Sequence, residues 1–268
     1  MLSRTNQHRA LLLAGLLSFI FSIYYSAVTD SWGLFLCAFV YFQFLKIFAN
    51  HIGIHRLIAH KSFKTGPWRE KFLTYSTVLL SINSPISYAL VHRHHHKHSD
   101  TEKDVHSPQV NGFFNILLGL WEYNDTSYFV QKGCSMGVRD LLRNKDLVFI
   151  DKHYHKIWAF LIVASLLISW KITIFFLLAP AGYFHIAAGM LNTFGHWNIP
   201  GSYRNYDTDD KSYNNWIWGI YSCGEGFQNN HHGDQNNYDF GRRWFEIDIA
   251  ALLIKLFFDK DYHFFKKS

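Results

Sequence analysis

Apolar stretches long enough to cross a bilayer dominate both halves of this chain. Near the start, two such stretches are separated only by Thr29–Ser31. A later run extends almost unbroken from Ile157 to Leu191, which is too long for one crossing of about 20 residues. We expect a hairpin tip at Ser169–Lys171 to divide that run. The predicted spans are residues 10–28, 32–48, 155–170 and 173–191. Lipid-embedded backbone must satisfy its own hydrogen bonds, so an all-α membrane protein with four transmembrane helices is predicted.

Basic residues predict the orientation of these spans. Arg4 and Arg9 precede the first span, and Lys61 and Lys64 follow the second, whereas the two short links carry one basic residue between them. By the positive-inside rule, both termini face the cytoplasm. We therefore expect one integral-membrane domain over residues 1–268. Its cytoplasmic helical cap would comprise residues 49–154 and 197–268.

A further apolar run, residues 72–91, is ambiguous. Polar residues from Ser81 to Ser87 interrupt it, and a span here would place the histidine-rich segments on opposite faces of the membrane. We predict an interfacial or half-buried helix instead.

Composition narrows the class of protein. The chain is 49% hydrophobic and 18% aromatic, and its formal net charge is +6. That charge suits anionic lipid headgroups, phosphorylated substrates or an acidic protein partner. No Lys/Arg-rich motif indicates nucleic-acid binding. The cysteines Cys37, Cys134 and Cys223 have no CxxC spacing, which favours a reduced chain.

Histidines are concentrated in four short segments, all on the predicted cytoplasmic side. These are "HRLIAH" (His55, His60), "HRHHH" (His92, His95, His96), "NTFGH" (Asn192, His196) and "QNNHH" (Gln228, His231, His232). Taken singly, each is compatible with interfacial histidines, a loose metal-binding tract or a histidine near a helix end. Together they offer eight imidazoles. This exceeds the four to six ligands of one ion and predicts two metal ions sharing the set.

These motifs resemble those of the membrane-bound fatty acid desaturases that act on acyl-CoA and acyl lipids, with stearoyl-CoA (delta-9) desaturase closest in pattern. "HRLIAH" is similar to the HxxxxH box, "HRHHH" to HxxHH, and "NTFGH" to the NxxxH element. The resemblance continues in "DVH", "GEGF" and "RRWFEID" and covers residues 49–248. It departs at Gln228, where the acyl-CoA enzymes have histidine and front-end desaturases have glutamine. Gln228 would bind through its amide oxygen, hold a water, or leave one metal position open.

The resemblance implies an O2-dependent desaturase with two iron ions that introduces a cis double bond into a fatty acyl chain. The implied iron ligands are His55, His60, His92, His95, His96, His196, His231 and His232. Asn192 would hold a water ligand, and Asp104 and Glu225 are candidates to orient imidazoles. Lys97, Arg204, Arg242 and Arg243 are candidate cations for the substrate headgroup, although solvated surface charge is the simpler interpretation of all four.

Substrate, electron source and membrane follow from the same resemblance. The substrate would be a fatty acyl group carried on CoA, acyl carrier protein or an intact lipid. Neither an HPGG motif nor a GxGxxG motif is present. A separate cytochrome b5-like, ferredoxin-like or rubredoxin-like protein is therefore expected to supply electrons. The short N-terminus favours a bacterial inner membrane over the endoplasmic reticulum. A related hydroxylase, acetylenase or ketolase would share these boxes. A metal transporter would instead place its histidines near the bilayer midplane.

Overall fold

A computed structural model describes residues 4–123 and 137–261. Helix dominates these residues, in agreement with the all-α prediction. The helices are α1 (Arg4–Thr29), α2 (Trp32–Ala59), α3 (Pro67–Ser76), α4 (Pro85–His98), α5 (Pro108–Asn111), α6 (Phe113–Leu117), α7 (Lys145–Ile168), α8 (Ile172–Gly195), α9 (Trp216–Tyr221), α10 (Gln228–Gly233) and α11 (Ile249–Phe258). Short 3₁₀ turns occupy Thr77–Leu80, Leu120–Tyr123 and Leu141–Arg143. The strands β1 (Ser202–Tyr203) and β2 (Asn214–Asn215) pair antiparallel, with Ser202 opposite Asn215.

Three helices in the described part of the chain, α1, α2 and α8, are long and apolar enough to cross a membrane, which indicates a membrane protein. The span predicted at 155–170 overlaps the end of α7, which is not among these three, so the fourth span stays a prediction. Of the hairpin tip predicted at Ser169–Lys171, Ser169 breaks the helix, whereas the two residues after it are helical.

Helix α2 continues beyond the predicted span. The predicted span ends at residue 48, and the helix runs on through the start of the predicted cap to Ala59, in wider, π-helical turns from Lys46. Its polar residues His51, His55 and Arg56 remain helical because they are buried against other polar groups. Such wide turns are frequent at functional sites.

The ambiguous run 72–91 forms two helices rather than one. Helix α3 ends at Ser76, and the chain then turns through Ser81 and Asn83, both of which have positive φ. Pro85 starts α4, where the Ser84 side chain accepts a hydrogen bond from the backbone N–H of Ser87. This break directs α4, and its histidines, toward α2.

The membrane helices pack closely where side chains are smallest. A Cβ atom added at Gly182 of α8 would lie 2.3 Å from the backbone oxygen of Gly15 in α1, so these helices meet backbone to backbone. Phe42, Phe175 and Ala179 fill the core between α2 and α8. This packing fixes the ends of α2 and α8, which carry His55 and His196.

Candidate metal centre

All eight predicted histidine ligands come together, and they do so as two groups. Within each group, one donor atom from every residue lies within 4.8 Å of the others. The five-histidine cluster comprises His55, His60, His92, His96 and His231, and the three-histidine cluster comprises His95, His196 and His232. The clusters adjoin, since the ring centroids of His96 and His232 are 4.4 Å apart.

In the five-histidine cluster, imidazole Nε2 atoms face one another. The Nε2 distances are 2.7 Å between His60 and His92, 3.1 Å between His55 and His231, and 3.2 Å between His92 and His96. Burial lowers the pKa of His60, His92, His96 and His231 well below the usual histidine range, so these rings are neutral. Several imidazole lone pairs therefore point into one small volume, and this arrangement is suited to binding a metal cation.

Glu225 determines which nitrogen of His55 faces this volume. Its Oε2 lies 2.7 Å from His55 Nδ1, so Nδ1 carries the proton and Nε2 presents a lone pair. Although burial raises the pKa of Glu225, its contacts with the His55 imidazole and the Arg56 guanidinium bring the pKa below the ordinary value. Glu225, a predicted orienting residue, is therefore an ionised acceptor.

Every imidazole of the three-histidine cluster rests on a carboxylate through Nδ1. The pairs are His95 with Asp104 at 2.8 Å, His196 with Asp100 at 2.8 Å and His232 with Asp210 at 2.6 Å. In each ring Nδ1–H donates its hydrogen bond to the carboxylate, so Nε2 has a lone pair available for a metal ion. Burial raises the pKa of Asp210, but the hydrogen bond from His232 brings it below the ordinary range. Asp210 is therefore ionised and increases the basicity of the His232 ring.

Two of these carboxylates were not predicted from the sequence, where only Asp104 was expected to orient an imidazole. Asp100 immediately follows "HRHHHKHS", and that proximity to a histidine box was a usable signal. Asp210 lies in "DTDD", where nothing distinguishes it from its solvated neighbours. Only the fold brings it against His232.

The second box, "HRHHH", divides between the clusters. Helix α4 carries all three histidines, as predicted. His92 and His96, one turn apart, enter the five-histidine cluster, whereas His95 enters the other. Successive residues on a helix point about 100° apart, so one short helix supplies donors to both groups.

Asn192 and Gln228 lie beside the clusters. Asn192 is one turn before His196 on α8 and lines a cavity described below. Gln228 is 8% exposed, its amide N–H donates to the carbonyl oxygen of Glu225 at 3.0 Å, and its side chain packs on the backbone of Gly195. The amide oxygen is therefore the part of Gln228 that can face a cation.

A buried ionic group adjoins the five-histidine cluster. Arg56 is fully buried, with its guanidinium 2.9 Å from Asp248 and 3.3 Å from Glu225. It also stacks on Phe240, whose ring lies 4.3 Å from that of His231. Burial raises the pKa of Asp248 to about 6 despite Arg56. Neither Arg56 nor Phe240 was predicted from the sequence to have a role.

A cavity of about 390 Å³ lies next to the clusters, within the size range of small-molecule sites. His92, His106 and Asn192 form the wall that it shares with the metal centre. Apolar side chains of α4 and α8, among them Leu90, Phe184 and Leu191, line the cavity, as do Arg4 and Asp151.

The four candidate headgroup cations are not among the described residues that line this cavity. Arg204 donates to the carbonyl oxygens of Thr208, Asp210 and Ser212, so it holds together the loop that carries Asp210. Arg242 is engaged by Asp234 and Tyr206. Lys97 and Arg243 are exposed.

Comparison with known proteins places this geometry in a family. The chain matches the Fatty acid desaturase family over residues 9–266. It is 31% identical to delta-9 acyl-lipid desaturase 2 of Arabidopsis thaliana over 77% of this chain and 66% of that protein. It is 29% identical to sn-1 stearoyl-lipid 9-desaturase of Anabaena variabilis, over 76% and 73% of the two chains. For acyl-CoA C20 delta5-desaturase of Anemone leveillei the identity is 29%, over 85% and 72%.

The match thus spans about two thirds of the Arabidopsis relative's length. The residues that match the family include every histidine of both clusters. The chain belongs to the fatty acid desaturase family.

Proposed function

We propose that this protein is a membrane-bound desaturase that uses two iron ions and dioxygen to introduce a cis double bond into a fatty acyl chain. The observation that carries this proposal is the pair of histidine clusters beside an apolar-flanked cavity. The names of the relatives, which include acyl-lipid and acyl-CoA desaturases, support the same activity.

The chemistry requires a strong oxidant, because no side-chain base can deprotonate an unactivated methylene. Bound iron supplies the means of reducing dioxygen for this purpose. In balance, one dioxygen, two electrons, two protons and two acyl hydrogens give two waters and one carbon–carbon double bond. Electrons would come from a separate protein that is cytochrome b5-like, ferredoxin-like or rubredoxin-like.

The residues of the chain have separate tasks in this proposal. The eight clustered histidines would hold the two ions, with Asn192 through a water. The carboxylates, such as Glu225 on His55, keep each proton on Nδ1 and each Nε2 available. The cavity would hold the acyl chain away from bulk water, next to the lining residues His92 and Asn192.

The substrate headgroup would lie beside Arg4, a cation that lines the cavity. Lys97 and Arg243 are exposed and remain candidates for a carrier that extends over the surface. With α7 as the fourth span, both termini and the metal centre would face the cytoplasm, consistent with Arg4 and Arg9 preceding α1.

Lipid profiling of cells that express the chain tests the activity. New monounsaturated acyl chains are expected, and they should disappear in His231→Ala, which removes one ligand of the five-histidine cluster. The variant should still insert into the membrane. Hydroxylated chains without new double bonds would identify a hydroxylase, and an unchanged profile with normal iron content would refute the proposal.

A further inference from the structure

The two clusters differ in their numbers of imidazoles and carboxylates. The five-histidine cluster has five imidazoles, and among the described residues one carboxylate, that of Glu225, is in hydrogen-bond contact with them, through His55. The three-histidine cluster has few imidazoles, but a carboxylate contacts each of them within 2.8 Å. One site is rich in neutral donors and the other in negative charge.

Charge balance increases this difference. Glu225 is also 3.3 Å from the guanidinium of Arg56, which offsets its charge at the five-histidine cluster. Among the described residues, no arginine or lysine side chain is within ion-pair distance of Asp100, Asp104 or Asp210; their ion-pair contacts are with histidines. A dication in the three-histidine cluster therefore meets three uncompensated negative charges just behind its ligands.

By its resemblance to the HxxHH box, Gln228 stands where the acyl-CoA enzymes have histidine, and it lies close to the smaller cluster. It lies on the same short helix as His232, and its side chain packs against Gly195, directly before His196. An amide oxygen is a neutral and weaker donor than imidazole toward a transition-metal dication. The group formed by His95, His196 and His232 therefore has fewer imidazole donors than the five-histidine cluster, and it has the extra negative charge.

We propose that the carboxylates of Asp100, Asp104 and Asp210 compensate for the imidazole that Gln228 does not supply, so that metal retention in the three-histidine cluster depends on them. The five-histidine cluster does not share this dependence. The inference rests on the proposed iron centre and concerns how this particular chain retains the second ion.

Asp210→Asn is the most direct variant. The amide keeps an oxygen for Thr208 and Ser212, which both hydrogen-bond to Asp210 Oδ1, but it removes the charge behind His232. Removal of such a partner costs about 10–100-fold in metal affinity. Asp209→Asn is the matched control, since Asp209 is exposed on the same loop.

The assay is the iron content of purified, iron(II)-loaded protein after anaerobic dialysis against a graded chelator. Asp210→Asn should lose one iron of two at about 10–100-fold lower chelator concentration than the wild type, and retain the other as the wild type does. Asp104→Asn should behave alike through His95, and Asp209→Asn should match the wild type. Chelator-stripped Asp210→Asn should melt at the temperature of the stripped wild type, which separates a charge effect from a loop defect.

A double variant tests directly whether an added imidazole restores iron retention. Gln228→His combined with Asp210→Asn should return the second iron to near wild-type retention, because an additional imidazole donor offsets the affinity lost with the carboxylate charge. Equal loss of both irons, unchanged retention in Asp210→Asn, or failure of Gln228→His to rescue would overturn the inference while leaving the proposed function intact. A wild-type protein that retains no iron would overturn both.

Discussion

Replacing Arg56 by Met tests whether the buried ionic group supports the fold as well as the metal centre. Met keeps the apolar stem over Phe240 and removes the guanidinium that lies between Asp248 and Glu225. Two buried carboxylates then remain without a cation. Removing one partner of a buried ion pair costs about 3–5 kcal/mol. At about 2–4 °C per kcal/mol, Tm should fall on the order of 10 °C.

The pH dependence of this loss follows from Asp248. Burial raises its pKa to about 6 while Arg56 is present, and the value should rise further without Arg56. A carboxyl whose folded pKa is raised loses stability as pH increases from its unfolded to its folded value. In the wild type that loss is complete slightly above pH 6, whereas in Arg56→Met it continues. The variant's deficit should therefore be larger at pH 8 than at pH 6.

Tryptophan fluorescence during heating in detergent measures both effects. Arg69→Met is the matched control, because Arg69 is exposed, and it should melt with the wild type at both pH values. Adding Asp248→Asn to Arg56→Met should recover part of the loss, since only one unpaired carboxylate then remains. A Tm of Arg56→Met within about 2 °C of the wild type at pH 8 would refute the reasoning, given the 2–4 °C expected per kcal/mol. So would a larger deficit at pH 6.

Two further measurements concern the cluster and the helix packing. Chelator-stripped protein should lose stability as pH falls below about 6.5, because unfolded histidines bind protons that the buried neutral rings of the five-histidine cluster refuse, at about 1.4 kcal/mol per pH unit for each ring; a flat Tm from pH 8 to 5.5 would contradict this. Gly182→Leu should lower stability by about 1–3 kcal/mol or more through overpacking against Gly15, whereas Gly33→Leu, which meets open space, should not. Equal melting of the two glycine variants would disprove close backbone contact.

The sequence was most informative where chemistry and periodicity agree. Imidazoles in four short boxes predicted the donors of both clusters, because histidine at such density beside apolar segments is typical of metal binding. The three long apolar helices were visible for a similar reason, since hydropathy over about 20 residues is a strong signal. Glu225 was identified as a candidate orienting residue and does contact His55.

The rest depended on contacts between distant segments. Asp210 is ordinary in its own loop and gains a role only when β2 and α10 bring it to His232. The continuation of α2 past residue 48 was not predicted, because His51 and Arg56 have the polarity of a cap, whereas buried partners keep them helical. The break after α3 arises from two positive-φ residues, Ser81 and Asn83, neither of which is glycine.

The division of "HRHHH" between two clusters has a consequence for how the protein retains its ions. His95 and His96 are covalent neighbours on one rigid helix, yet each points to a different ion site. Docking of α4 in one orientation therefore places donors in both sites at once. A change that displaces the whole helix should weaken the retention of both ions, whereas the loss of a single carboxylate partner should weaken the retention of only one.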